Sequence, residues 1–148
     1  MLDQLQSVLA SFQKHEVRYL VIGGIAAVLY GVPLATFDLD ILIEPTRENA
    51  QRLLDAMTGA GLGSASLTTA DEIISKEITI FTDRVRLDVQ TSTPGLRFED
   101  AWNRRVTMTY EGQSFEVVSL ADLIASKRAA GRAVDLEDVR TLMSDNTD

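Results

Sequence analysis

The chain has no cysteine and a single histidine, His15, in 148 residues. Disulfides, thiolate zinc sites and cysteine nucleophiles are therefore excluded together. One histidine cannot build a multi-histidine metal site and leaves little for a histidine-based triad. Basic residues are also scarce, 14 against 22 acidic ones, for a formal charge of −8. A surface of that sign repels a phosphate backbone, which argues against a broad nonspecific nucleic-acid coat. It does not argue against a nucleotide or an RNA end held through divalent metal, because clustered carboxylates that bind a metal become a phosphate site. The longest apolar run, Tyr19 to Val32, is interrupted by glycines and too short to cross a bilayer. No basic segment leads into an apolar one at the N-terminus, so no membrane association is expected and the expected location is cytoplasmic.

What is present fits one ordered α/β domain over residues 1–148: 45% of the residues are hydrophobic and 24% charged, with no repeat and no linker composition. Leu2, Leu5, Leu9 and Phe12 recur at helical spacing and predict an amphipathic helix ending near His15. Val17 to Ile22 reads as a short buried strand stopped by Gly23-Gly24, and Ile25 to Tyr30 as a short helix. Phe37 to Glu44 alternates as a strand, with Asp38, Asp40 and Leu42 on one face. Thr46 is placed to cap a helix whose inner stripe is Ala50, Leu53, Leu54 and Met57. Gly63 to Glu72 is small and polar and reads as a loop. Two hairpins are predicted, one turning at Thr82-Asp83-Arg84 and one at Glu111-Gly112-Gln113. Ser119 and Asp122 have capping-box spacing in front of a helix ending at Gly131, and a last helix from about Asp135 is expected to bury Leu136, Val139 and Leu142 or Met143. Because hairpins join several strands, the fold class is mixed α/β, a small mixed sheet flanked by helices with the Asp38/Asp40 strand at its centre.

The chemistry concentrates in three stretches. Two carboxylates at i and i+2 of one strand face, Asp38 and Asp40, cannot turn away from each other, and a hard divalent cation resolves their repulsion. Gly23-Gly24 at the mouth of a helix allows close approach of backbone N–H groups to a phosphate. Asp88, alternating with Val85, Leu87 and Val89, could face the same point from a neighbouring strand as a third ligand and as acceptor of a hydroxyl proton. Each residue also has a plain reading: a polar strand face for Asp38 and Asp40, a half-exposed strand for Asp88, a tight turn for the glycines. Asp135 and Asp138 would complement a helix N-terminus, Lys127 and Arg128 would be surface charges, Arg132 would pair with Asp135, and Arg97, Arg104 and Arg105 would form a solvated face.

The stretch GGIAAVLYGVPLATFDLDILIE resembles the signature of the polymerase-beta-type nucleotidyltransferases, a Gly-Gly or Gly-Ser turn, a short helix and an hDhD strand. The lead-in at Gly31 to Thr36 and the later SLADLIASKRAAGRAVDLEDV, with Lys127, Arg132, Asp135 and Asp138 in a K-x4-R-x2-D-x2-D pattern, resemble the branch of nucleotidyltransferase toxins from abortive-infection and toxin–antitoxin systems. The resemblance spans roughly Tyr19 to Leu142. It implies the nucleotidyltransferase fold and transfer of a nucleotidyl group from an NTP such as ATP, with Mg²⁺ or Mn²⁺, to a hydroxyl of an RNA end, a protein or a small molecule. It places Asp38, Asp40 and Asp88 on the metals, Gly23, Gly24 and Thr36 on the nucleotide, and Lys127 against the phosphates, and it allows for an antitoxin or partner chain. Gly24 stands where the family often has Ser, and Leu34 where it usually has Arg. These departures motivate an alternative, a catalytically weakened nucleotide-binding or interaction module acting with a partner chain.

Overall fold

The computed structural model describes residues 2–33 and 38–145. Within them, seven α-helices and six strands follow the order α1 (Leu2–Lys14), β1 (Tyr19–Ile22), α2 (Gly23–Leu29), β2 (Asp38–Ile43), α3 (Arg47–Gly59), α4 (Ala70–Ile74), β3 (Ile78–Thr82), β4 (Arg86–Gln90), α5 (Phe98–Asn103), β5 (Val106–Tyr110), β6 (Gln113–Val117), α6 (Leu120–Ala130) and α7 (Ala133–Asp145). The strands form one mixed sheet, β3-β4-β2-β1-β6-β5. β2 runs antiparallel to β1 and parallel to β4, and β1 runs parallel to β6. The strand bearing Asp38 and Asp40 is thus interior, with Leu39, Ile41, Leu42 and Ile43 buried.

The local signals act as their chemistry dictates. Thr46 accepts from the Asn49 N–H at the start of α3, and Ser119 accepts from the Asp122 N–H at the start of α6. Gly131 closes α6 with φ +69°, and Glu111-Gly112 turns the β5–β6 hairpin with φ +47° and +81°. Asn49, fully buried, has no apolar role: its side chain accepts from the Arg18 N–H at 2.8 Å and donates to the carbonyls of Arg18 (2.9 Å) and Glu44 (3.0 Å). One amide therefore ties the chain entering β1 to the chain leaving β2 and fixes the register of the two strands beneath the site. Asn49→Leu strands three backbone groups, and at about 1 kcal/mol or more each it is expected to cost at least about 3 kcal/mol in urea unfolding.

Two elements differ from the sequence reading. The segment expected to be a loop contains a 3-10 turn, Gly63–Leu67, and the helix α4, whose N-cap Thr69 accepts from the Glu72 N–H. Its apolar stripe, Ala65, Ala70 and Ile73, is too sparse to show a period, yet all three are buried. The last helix starts at Ala133 rather than Asp135, and Leu136 and Met143 are each 42% exposed, while Val139 and Leu142 are buried. The inward stripe of α7 is Asp135, Asp138, Val139 and Leu142, so two aspartates hold positions that hydrophobicity assigned to leucine. They face Lys127, which supplies the reason.

Candidate active site

Register brings the carboxylates together. Across the parallel pair β2–β4, Asp40 lies opposite Asp88 and Asp38 opposite Arg86, so all four side chains share one face. Asp40 and Asp88 are in hydrogen-bond contact, and burial, then the Asp88 charge, pushes the Asp40 carboxyl up from 3.8 to about 7. Both influences favour the neutral form of the Asp40 carboxyl. The Gly24 N–H donates to the Asp40 carboxylate, which caps the first turn of α2 in place of the apolar Ile22. Gly23 has φ +67°, and a Cβ placed on it would lie 2.2 Å from Asp40 Oδ2. The glycine pair, which sequence reading put before the helix, forms its first turn and seats Asp40.

Among the described residues no group of three His, Asp or Glu side chains is arranged to close around a metal ion as it stands. Arg86 reaches into the cluster instead, with Nε 3.0 Å from Asp88 Oδ1, Nη2 3.4 Å from Asp88 Oδ2 and Nε 3.8 Å from Asp38 Oδ2. The donor set nonetheless suits a hard divalent cation: three carboxylates on one face, with Asp40 and Asp88 in contact. Arg86 does not belong to any motif of the sequence. The signal was there, since a cation two positions before Asp88 on an alternating strand must share its face.

Gly23, Asp40 and Lys127 line one cavity of about 340 Å³ together with Arg132, Asp135 and Ile78. Lys127 is not a surface charge: it is 9% exposed, with Nζ 2.9 Å from Asp138 Oδ2 and 3.8 Å from Asp135 Oδ1. Arg132 grips the buried Asp135 through Nε (2.6 Å) and Nη2 (3.0 Å), while its side chain is 74% exposed. Hydrogen bonds from Arg132, assisted by the charges of Arg132 and Lys127, hold the Asp135 carboxyl below its ordinary range despite burial. A depressed folded value stabilises the fold above the unfolded one and loses that contribution as pH falls through it. Asp135→Asn is expected to cost about 1.5–3 kcal/mol at neutral pH, a deficit that shrinks below about pH 4, as thermal melts of the two proteins across that range would show. Thr36 and Leu34 lie outside the described residues.

The arginines expected on a solvated face are exposed, and each faces a carboxylate: Arg97, with its side chain 86% exposed, lies 3.9 Å from Asp100. Arg104 holds the buried Asp122 with two nitrogens, and Arg105 pairs with Glu116 and lies 3.9 Å from the Trp102 ring centroid. Both side chains stay exposed, Arg104 at 55% and Arg105 at 37%, while a carboxylate of the fold meets each charge.

The sequence matches the model of the aminoglycoside-2''-adenylyltransferase family over residues 4–142. The chain belongs to that family. It is a nucleotidyltransferase, and its family is named for an aminoglycoside-modifying activity rather than for the toxins its motifs resemble. The fold agrees: the structure of a candidate nucleotidyltransferase from Thermotoga maritima superposes with a TM-score of 0.59 at 17% identity, covering 98% of this chain and 93% of that one. No curated protein matches the sequence.

Proposed function

We propose that this nucleotidyltransferase moves a nucleotidyl group from an NTP, with ATP as the first choice, to a hydroxyl of a polycationic small molecule of the aminoglycoside kind. Asp38, Asp40 and Asp88 would hold Mg²⁺ or Mn²⁺, which supplies charge neutralisation for the triphosphate and the attacking oxygen. The acceptor hydroxyl attacks the α-phosphorus, its proton passes to the Asp88 carboxylate, and the bond to the bridging oxygen breaks to release pyrophosphate. Gly23, by lacking a Cβ, keeps Asp40 in place and leaves the cavity open for the phosphates. At the cavity rim the exposed Arg132 offers a cation to them, and Lys127 secures the carboxylates that orient it.

The observation carrying this reading is the in-register pair Asp40/Asp88 beside Asp38 on one sheet face, with Asp40 itself lining the cavity. The acceptor choice is supported by the family and by charge: at −8 the protein attracts a polycation and repels RNA. The test incubates the full chain with Mg²⁺ or Mn²⁺, each α-labelled NTP, and an aminoglycoside panel, total RNA or cell lysate. Label is expected on an aminoglycoside, with pyrophosphate released, and none with Asp38→Ala/Asp40→Ala. Label on RNA or protein alone would replace the acceptor assignment and favour the toxin-like role; transfer that survives the double substitution would remove the carboxylates from catalysis. NTP binding without any transfer would support the weakened module.

A further inference from the structure

Arg86 stands on β4 at the position opposite Asp38 and two residues before Asp88. Its guanidinium takes both oxygens of Asp88, at 3.0 and 3.4 Å, and approaches Asp38 at 3.8 Å. One cation thus serves two of the three carboxylates, Asp88 and Asp38, by occupying oxygens on which the proposed metal binding depends. A guanidinium cannot lose its proton to make way. It can only swing out, and its side chain, 46% exposed at the strand end, has open solvent to swing into.

We propose that Arg86 is the resident counter-ion of the carboxylate centre, displaced from Asp88 and Asp38 when a divalent cation binds; this rests on the functional reading above. Arg86 then has two opposite effects. It stabilises the metal-free site by offsetting carboxylate repulsion, and it weakens divalent binding by competing for the same oxygens. The centre would bind metal alone weakly and fill when an NTP contributes its phosphate oxygens.

The experiment titrates Mn²⁺ into the nucleotide-free full chain and follows the free-ion signal by electron paramagnetic resonance, with thermal melts in EDTA and in Mg²⁺ alongside. R86A is expected to bind Mn²⁺ about tenfold more tightly than the unaltered protein, the lower end of what a neighbouring charge does to a carboxylate's ion affinity. R86A should melt lower in EDTA yet gain more from Mg²⁺. R86K, which keeps the charge but not the fork, should fall between. A merely structural arginine would lower both melts and leave Mn²⁺ affinity unchanged or weaker, and that result would overturn the proposal. Asp40→Asn separates the two readings: Mn²⁺ binding that persists in it, or no Mn²⁺ binding by any protein even with NTP, overturns the carboxylate centre itself, whereas Asp40-dependent binding that R86A fails to tighten overturns only the role of Arg86.

Discussion

Replacing Asp40 by asparagine is expected to lower kcat/KM for nucleotidyl transfer by about 10³-fold or more, while raising the melting temperature of the metal-free protein. The loss follows from position. Asp40 is the middle carboxylate, opposite Asp88 and two residues from Asp38, and the charge stabilisation a divalent ion supplies is worth several kcal/mol, about tenfold in rate for each 1.4 kcal/mol. The gain follows from what folding does to the same group. Burial is the largest influence disfavouring its charge, followed by the Asp88 carboxylate. An asparagine of the same shape carries no charge to desolvate, can still accept from the Gly24 N–H, and can donate to Asp88. Opposite signs for activity and stability mark a residue kept for chemistry at the expense of the fold. Melts in EDTA at mildly alkaline pH, with initial rates under Mg²⁺, check both halves. An asparagine variant that is less stable and fully active would contradict the assignment.

Gly23→Ala is expected to abolish most transfer activity without touching a charged group. The position demands glycine twice over, through φ +67° and through the 2.2 Å separation between an added Cβ and Asp40 Oδ2. A left-handed conformation costs a non-glycine residue of order 1 kcal/mol, which the fold can bear. The clash is with the Asp40 side chain itself, whose Cβ and Cγ would also stand at 3.0 Å, so relief comes from moving the catalytic carboxylate. The carboxylate must turn away from the Gly24 N–H or the first turn of α2 must lift, and either move removes the seat that holds the Asp40 carboxyl against Asp88. Rates should fall about 10²-fold or more, as for an ångström-scale misplacement, with a melting temperature lowered only modestly. Gly24→Ala is the comparison, and a Gly23→Ala enzyme with unaltered kcat would show that Asp40 needs no such seat.

The fold was largely legible in the sequence, for physical reasons visible in particular residues. Alternation in FDLDILIE, the caps Thr46 and Ser119, and the left-handed positions at Gly112 and Gly131 are local signals whose energies do not depend on the rest of the chain. α4 was not legible, since three small apolar residues show no period before they are packed. Nor was the inward face of α7, because aspartates become core residues only when a buried lysine meets them. Lys127 itself reads as a surface charge on its helix until α7 folds over it.

The same division holds for the site. By itself the sequence determined that no cysteine or multi-histidine chemistry operates here, that Asp38 and Asp40 share a strand face, and that the surface favours cations; composition and the two-residue period of a strand suffice for these. Only the tertiary structure decided which residues from other strands and helices join them. Strand order and register set Asp88 beside Asp40 and Arg86 beside Asp38, and the packing of α6 with α7 turned Lys127 inward and left Arg132 at the cavity mouth. Those placements depend on contacts between residues far apart in the chain, and no local propensity encodes them.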